Sequence, residues 1–430
     1  MTSPLRAYFL GTGTSTALPV GPCLAQVDKP SRDVGLFLDT YNAAPEDQRQ
    51  PDRWGGYDPK GEWPASVACG SCRASVSPSV EEGWKNRRGN PAMVLRKQNA
   101  NGEWRNVVVD VGKTFREQSC RYFPRWGIKH IDAVLITHGH ADAYNGLDDL
   151  REWCVRQGRP MPIYLTQATF DTVAASFPYL VDKTKASGGG DLPTLQFNVI
   201  EDEDEFEVEG IKVTTLPVVH GRYFHAPEPA KPTEPPAPSA PGSPQRVESP
   251  APTAPQPFIC LGYIFDNSLV YLSDLSSVPE PMYARIEKTL AKRSAPPVLV
   301  ADTLWPWRPH ASHISFPQAM DIALRLNPRP AHTYLVGMTH PVTHWTWLEL
   351  GRHIRGESGK EPTHPDQHLS QALIEKVWES EDMVKIAPEL AKWGGLVEPA
   401  WDGLGLEITD DGCTELPFGA AGGSAGGWGF

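Results

Sequence analysis

The chain of 430 residues lacks any apolar run of the roughly 18 residues that a membrane-spanning helix needs. It also lacks an excess of positive charge, because 40 Lys and Arg stand against 52 Asp and Glu, a formal net charge of −12. This balance disfavours a protein that grips nucleic acid over a wide basic face. The N-terminus shows no basic segment with an apolar core and a cleavage site, which predicts a cytoplasmic protein.

Cysteine is scarce and odd in number, with seven residues in the whole chain. An odd count in a long chain without a secretion signal disfavours a disulfide framework and favours thiols or metal ligands. Hydrophobic residues make up 40% of the chain and charged residues 21%, a mixture typical of a globular protein.

Proline is plentiful by contrast, with 43 residues, and it is concentrated in one segment. Residues 226–257 hold 12 prolines in 32 positions and have too few apolar side chains to offset the entropy of ordering. We expect one domain over 1–418, interrupted by a disordered insertion at 226–257 and followed by a flexible Gly-rich tail at 419–430. The insertion is a solvated spacer or, as the alternative, a ligand for a Pro-motif-binding partner.

Short β-rich runs alternate with helical patterns along the rest of the chain. Helical patterns are predicted at 146–157, 280–292, 316–327 and 369–378. The run 258–265 is predicted to form hairpins with 205–216 and with 269–273. Hairpins combined with crossover helices indicate an α/β fold with a mixed sheet system and helices outside.

The strongest functional pattern is DAVLITHGHAD at 132–142, an apolar strand followed by two imidazoles and a carboxylate. A tight turn after a strand can aim these side chains at one point, and such ligands suit Zn²⁺ or a similar divalent ion. Further His and Asp residues also follow predicted strands. The predicted metal ligands are His138, His140, Asp142, His220, Asp274 and His340.

This order of ligands resembles the metallo-β-lactamase superfamily of metal hydrolases, and within it the cyclic phosphodiesterases of the PhnP type and similar eukaryotic proteins. Further support comes from Gly11-Thr12-Gly13-Thr14 after the first strand and from Asp110-Val111-Gly112. The resemblance implies a metallo-β-lactamase-like αββα sandwich with a metal site at the sheet edges. The ions expected are Zn²⁺, or alternatively Mn²⁺, with one or two in the active site. Asp110 is expected to hydrogen-bond a metal-binding histidine or its loop.

The sequence departs from the family pattern at Ala143, where the family has a histidine that binds the second metal. The second site then keeps only Asp142, Asp274 and His340. Asp148 lies one helical turn further on and is either a replacement ligand or an ordinary surface carboxylate. A working two-metal site, a one-metal enzyme and a site without turnover all remain open.

His313 matches the family's non-metal histidine that donates a proton, and His310 is the nearby rival. With Asp142, His313 is assigned a catalytic role. Arg308 is predicted to bind phosphate, because a guanidinium offers forked donors. Arg87 and Arg88 either face phosphate or, more commonly for charged residues near loops, face water.

A second metal site is indicated by Cys69-Gly70-Ser71-Cys72, a C-x2-C motif that needs two further ligands. The resemblance implies a closed structural zinc site formed by Cys23, Cys69, Cys72 and His344. The alternative is a set of reduced thiols, with His344 capping a helix.

Three functions are compatible with these residues. The first is a metal-dependent phosphodiesterase that acts on a small or cyclic phosphodiester through a metal-bound hydroxide. The second is an RNA-processing nuclease similar to the tRNA 3′-processing enzymes of the superfamily, which the acidic charge disfavours. The third is a metal-binding scaffold with little turnover. A homodimer is expected from the resemblance.

Overall fold

The structure, a computed structural model, describes residues 3–25, 69–76, 82–187, 189, 191–223, 256–359 and 367–418. The predicted tail and residues 226–255 of the predicted insertion lie outside this part of the chain, so the domain boundaries stay a prediction. Pro257, which was assigned to the insertion, is the first residue of a strand. No helix in the described ranges is long and apolar enough to cross a membrane.

The first sheet has eight strands in the order β15-β14-β1-β2-β3-β4-β5-β6. Strands β3 to β6 run parallel to one another, whereas the other neighbours in this sheet are antiparallel. The strands are β1 (Leu5–Gly11), β2 (Ala92–Gln98), β3 (Trp104–Val109), β4 (Ala133–Leu135), β5 (Met161–Leu165), β6 (Leu195–Val199), β14 (Gly405–Thr409) and β15 (Gly412–Leu416).

The second sheet has seven strands in the order β13-β12-β11-β10-β9-β8-β7. The predicted pairing of 258–265 with 269–273 is confirmed, because β9 pairs antiparallel with β10. The predicted partner 205–216 is not one strand: it is divided between β7 and β8, which pair with each other, and only β8 pairs antiparallel with β9. Strands β10 to β13 are parallel. The strands are β7 (Glu205–Val208), β8 (Ile211–Arg222), β9 (Pro257–Phe265), β10 (Leu269–Leu272), β11 (Val298–Asp302), β12 (His332–Val336) and β13 (Leu396–Pro399).

Helices cover the outer faces of both sheets. Those on the side of the first sheet are α3 (Phe115–Trp126), α4 (Ala141–Tyr144), α5 (Arg151–Gln157), α6 (Gln167–Ser176) and α7 (Pro178–Val181). Those on the side of the second sheet are α8 (Glu280–Leu290), α9 (Phe316–Arg325), α10 (His344–Ile354), α11 (Gln367–Trp378) and α12 (Glu381–Leu390). Two short helices, α1 (Gly21–Leu24) and α2 (Gly70–Val76), lie in the connection between β1 and β2.

Successive side chains of a strand point to opposite faces of its sheet and so enter different hydrophobic cores. In β1, Ala7 and Phe9 enter the core between the two sheets, whereas Tyr8 and Leu10 enter the core under the helices of the first sheet. Tyr263 and Val300 of the second sheet complete the central core, and a third core lies under the helices of that sheet. The predicted αββα sandwich is therefore confirmed.

The two sheets are joined at the end of β4. The backbone N–H of Leu261 in β9 donates to the carbonyl of Thr137 after β4 at 2.9 Å, and the Tyr263 hydroxyl donates to the carbonyl of Ile136 at 3.1 Å. These bonds bring the loop after β4, from the first sheet, against the second sheet. The side chains that follow β4, β8 and β10 consequently converge at one edge of the sandwich.

Candidate metal centres

Three of the predicted ligands come together at this edge. The ring nitrogens of His138, His140 and His220 all lie within 4.8 Å of one another. His138 and His140 follow β4, and His220 lies near the end of β8, so each sheet contributes to the cluster. We call His138, His140 and His220, with Asp142 and Asp274 beside them, the histidine centre.

Hydrogen bonds determine which nitrogen each buried imidazole presents. Thr137 Oγ1 donates to Asp110 Oδ2 at 2.8 Å, so it accepts from His138 Nδ1, also at 2.8 Å. His220 Nδ1 donates to the carbonyl of Ser312 at 2.6 Å. In both residues Nε2 is left with a free lone pair, which is how proteins orient imidazoles toward a metal. Asp110 thus acts through Thr137, as the resemblance implied.

Electrostatics keep these imidazoles neutral. Burial lowers the pKa of His138, and partial desolvation lowers that of His140, which keeps access to solvent. Burial together with the neighbouring His313 lowers the pKa of His220 to about 3. Neutral imidazole is the form that binds a metal ion. His138 Nε2 is buried and has no hydrogen-bond partner within the described residues, a costly arrangement that a bound cation would relieve.

Two carboxylates face the same cluster. Asp142 Oδ1 lies 4.0 Å from His138 Nε2, and Asp274 groups with His220 and His313 within 4.8 Å. Burial, reinforced by the charge of Asp142, raises the pKa of Asp274 although the neighbouring His313 opposes this shift, so a further cation beside the carboxylate would stabilise its ionised form. Asp142 reaches the site because Gly112 lets its backbone approach closely: a Cβ on Gly112 would meet the Asp142 carbonyl oxygen at 1.7 Å. The donor set fits a divalent ion.

His313 adjoins the histidine centre and forms a further group of three possible metal donors with His220 and Asp274, whose ligand atoms all lie within 4.8 Å of one another. Its Nδ1 lies 2.7 Å from Asp302 Oδ2 and 3.9 Å from Asp274 Oδ1. Burial alone would lower the pKa of His313, but the adjacent Asp302 carboxylate prevails and raises it to about 9. His313 therefore carries a proton at neutral pH. His310 is exposed, with its ring centroid 5.6 Å from that of His313.

Asp302 is a functional residue that the sequence analysis did not identify. Its carboxylate is fully buried, and it accepts from His313 and, at 3.2 Å, from the backbone N–H of Leu275. The signal was present, because Asp302 ends the apolar run VLVAD in the way that Asp274 follows LVYLS.

The structure differs from the prediction at His340 and His344. His340 lies with the cysteines: its Nε2 is 3.7 Å from Cys23 Sγ, and it forms a group with Cys23, Cys69 and Cys72 whose donors all lie within 4.8 Å. His344, predicted for that group, is the first residue of α10, and its backbone N–H donates to Asn86 Oδ1 at 2.8 Å. The loop after β12 aims His340 away from the histidine centre, which explains the difference.

We call Cys23, Cys69, Cys72 and His340 the cysteine centre. Cys69 and Cys72 are buried, Cys23 is half-buried, and all three are free thiols. Hydrogen bonds from Cys69 and Cys72 lower the pKa of Cys23, whereas burial raises the pKa of Cys69. Thiolates and an imidazole at this spacing fit a tetrahedral zinc ion, and Val20 and Leu24 pack against the cluster.

The remaining predicted residues are placed as follows. Ala143 is buried in the helical layer of the first sheet. Asp148 pairs with Arg151 at 2.9 Å on the surface, in agreement with the surface reading. The Arg308 guanidinium lies 5.6 Å from the ring centroid of the buried Trp305, and its predicted contact with phosphate stays a prediction. Arg88 does not face water or phosphate, because it is fully buried.

Comparison with known proteins agrees with this geometry. A family model described as "Beta-lactamase superfamily domain" matches residues 105–338, more than half of the chain. The chain therefore belongs to the β-lactamase superfamily, as a hydrolase of the metallo-β-lactamase fold, a fold that implies divalent metal ions.

A solved structure shares this fold, and others resemble it more weakly. A diphosphatase from the PhnP family is 21% identical, with a TM-score of 0.53, over 97% of this chain and all of that one. The metallo-β-lactamase fold protein YhfI from Bacillus subtilis is 13% identical, with a TM-score of 0.44, over 94% of this chain and 99% of that one. An octanoyltransferase of Porphyromonas gingivalis is 31% identical over 118 residues, 27% of this chain. The match spans only 22% of that relative's length.

Proposed function

We propose that the protein is a metal-dependent phosphodiesterase that cleaves a small or cyclic phosphodiester. The observation that supports this most directly is the position of His313. Its ring centroid lies 4.9 Å from that of the metal-facing His220, and Asp302 binds its Nδ1. An imidazolium held next to a hydrolytic metal site suits a reaction in which a leaving alkoxide must be protonated.

Two groups of residues in and beside the histidine centre have different roles: one binds the metal ion, and the other donates a proton. The histidines would hold a metal ion, Zn²⁺ or alternatively Mn²⁺, which would supply Lewis acidity and activate a water molecule as the nucleophile. Asp142 and Asp274 would balance its charge. His313, oriented by Asp302, donates its Nε2 proton to the leaving oxygen or to a phosphoryl oxygen.

The solvent-facing surroundings favour a small substrate. His140 is exposed, and its ring stacks on Phe258 with centroids 4.4 Å apart and planes at 7°. Tyr223 packs against Phe258, with the two ring centroids 5.0 Å apart. An aromatic wall of this kind suits the apolar part of a diester, and the net charge of −12 disfavours a long polyanion.

The test is hydrolysis of a chromogenic phosphodiester by the full chain with Zn²⁺ or Mn²⁺. We expect metal-dependent turnover that falls to background in the His138→Ala/His140→Ala double variant. The His310→Ala variant, which removes an exposed histidine nearby, is expected to keep most of the activity. Turnover that survives the double variant would contradict the proposal. Cleavage of a tRNA precursor without cleavage of small diesters would favour the nuclease instead.

A further inference from the structure

The loop between β12 and α10 bears on how many metal ions the chain can bind, because it leads to two histidines that could serve as ligands. It carries His340, and His344 follows at the start of α10. In a tetrahedral zinc site, bond lengths of about 2.3 Å to sulfur and about 2.0 Å to nitrogen place the two ligand atoms roughly 3.6 Å apart. The observed separation of 3.7 Å between Cys23 Sγ and His340 Nε2 agrees with that value.

Arg88 holds the loop in this position. Its guanidinium donates to the carbonyls of Met338 at 3.2 Å, Thr339 at 3.0 Å and Val342 at 2.8 Å. These carbonyls lie on both sides of His340, so a turn of the loop toward the histidine centre would break bonds to a fully buried cation. Arg88 also supplies positive charge: three thiolates, one imidazole and Zn²⁺ carry a net charge of −1.

The same placement removes a donor from the histidine centre. A second catalytic ion would need ligands besides Asp142 and Asp274, but position 143 is alanine and His340 lies with the cysteines. The group formed by His220, Asp274 and His313 shares His220 with the first ion, and His220 can offer only Nε2 because its Nδ1 binds the Ser312 carbonyl. The Nδ1 of His313 is bound to Asp302. Among the described residues, no group of three donors within 4.8 Å joins His340 to the histidine centre.

We infer that the chain binds two metal ions, not three: one catalytic ion in the histidine centre and one in the cysteine centre, with His340 as its fourth ligand. The inference rests on the proposed function only in naming the first ion catalytic. It makes hydrolysis a one-metal reaction in this protein.

His344 provides the rival arrangement. Its Nδ1 is buried without a hydrogen-bond partner in the described part of the chain. If His344 completed the cysteine centre, His340 would be free for the histidine centre, and a third ion would be expected. The two histidines are therefore a matched pair of test positions.

The first measurement is the zinc content of the full chain. Metal-free protein is saturated with Zn²⁺, desalted and analysed by mass spectrometry of the element against protein concentration. We expect two zinc ions per chain in the wild type and in His344→Ala. We expect one in His340→Ala, in Cys69→Ser/Cys72→Ser and in His138→Ala/His140→Ala. Three ions in the wild type would overturn the inference.

Cobalt provides a second readout that does not depend on turnover. When Co²⁺ replaces zinc, a near-ultraviolet charge-transfer band reports cobalt–thiolate bonds and hence the cysteine centre alone. We expect His344→Ala to keep this band and His340→Ala to weaken it strongly. Loss of the band in His344→Ala, with an unchanged band in His340→Ala, would establish the rival arrangement.

A rescue variant distinguishes loss of a metal ligand in His340→Ala from misfolding of that variant. His340→Cys offers a fourth thiolate at the same position and is expected to restore two ions per chain and a stronger cobalt–thiolate band. A thermal melt of each variant confirms that it is folded. None of these measurements needs a substrate, so they test metal binding separately from activity. An inactive protein that binds two ions would contradict only the proposed function. An active protein that binds three ions would overturn only this inference.

Discussion

The histidine centre and the cysteine centre lie in the same fold but are built in different ways. In the histidine centre the ligands follow or end strands, and each buried imidazole is oriented by a neighbouring oxygen, such as Thr137 Oγ1 for His138. In the cysteine centre Cys23 lies in α1, Cys72 lies in α2, Cys69 directly precedes α2, and His340 lies in a loop. No sheet fixes the spacing of these ligands.

The comparison indicates which part of the structure holds the ligands of each centre in position. The sheet edge preorganises the histidine centre, whereas the cysteine centre depends on Arg88 and, by our inference, on the metal itself. The first should therefore be sensitive to backbone crowding at the sheet edge. The second should be sensitive to loss of the buried guanidinium.

The largest expected effect is on stability in Arg88→Met. The substitution leaves the carbonyls of Met338, Thr339 and Val342 buried without their donor, which should lower the free energy of unfolding by about 3–5 kcal/mol. The cysteine centre should also lose its zinc. Urea unfolding and zinc content measure both effects.

The control for Arg88→Met is Arg156→Met, which breaks an exposed pair with Glu152 and should change the free energy of unfolding by less than about 1 kcal/mol. Equal stabilities of the two variants would mean that the loop after β12 holds its shape without Arg88. The proposal that the cysteine centre depends on Arg88, unlike the histidine centre, would then be wrong.

The next effect concerns the histidine centre, in Gly112→Ala. The added Cβ would lie 1.7 Å from the Asp142 carbonyl oxygen, so the turn that carries Asp142 must move. We expect a loss of about 1–3 kcal/mol in the free energy of unfolding. Displacement of Asp142 should lower kcat/KM about 100-fold.

Gly21→Ala is the matched control for crowding, because a Cβ on this exposed glycine of α1 meets nothing within 4 Å. It should leave activity and stability unchanged. Wild-type activity in Gly112→Ala would show that the sheet edge tolerates crowding, contrary to a preorganised histidine centre.

The contrast between the centres also explains what could be predicted from the sequence. Local apolar runs reveal where strands end, so His138, His140 and His220 were predicted and do lie together. The choice between His340 and His344 was not predictable in this way. It depends on a loop held by Arg88, roughly 250 positions away in the chain, whose burial no local pattern indicates.

Secondary structure shows the same limit. The amphipathic helix α3 was not predicted, although Phe115, Tyr122 and Trp126 recur at helical spacing, because Pro124 and several charged residues interrupt the pattern. The helix predicted at 280–292 and the hairpin of β9 with β10 are confirmed, because their apolar patterns are uninterrupted.

A smaller effect is expected from Asp302→Asn, which weakens the positioning of His313 without touching a predicted metal ligand. Because the Asp302 charge raises the pKa of His313 to about 9, wild-type kcat/KM should fall as pH rises through about 9. In Asp302→Asn this fall should occur at lower pH, with kcat/KM at neutral pH reduced about 10- to 100-fold.

Asp148→Asn is the control for Asp302→Asn, because it removes a partly exposed carboxylate that pairs with Arg151 at 2.9 Å. Its pH profile should match that of the wild type. An unshifted alkaline limb in Asp302→Asn would show that His313 is not the group that titrates there, and the proton-donor role would have to be reassigned.

The smallest effect concerns Asp402, which supports the segments next to the cysteine centre. Its carboxylate accepts from Thr12 Oγ1 at 2.8 Å and from the backbone N–H of Gly89 at 2.7 Å. Burial raises its pKa to about 6, above the value of about 4 expected in the unfolded chain. Between these pH values the folded state binds more protons, so the free energy of unfolding should fall as pH rises from about 4 to about 6.

Asp402→Asn should remove this contribution, which we expect to be of the order of 1–2 kcal/mol across the window. The measurement is urea unfolding of both proteins at several pH values, with the wild-type free energy of unfolding subtracted from that of the variant. The difference should change between pH 4 and 6 and be constant above about pH 7. A difference that is flat throughout would show that Asp402 titrates normally, and its hydrogen bonds to Thr12 and Gly89 would then contribute equally to stability at every pH.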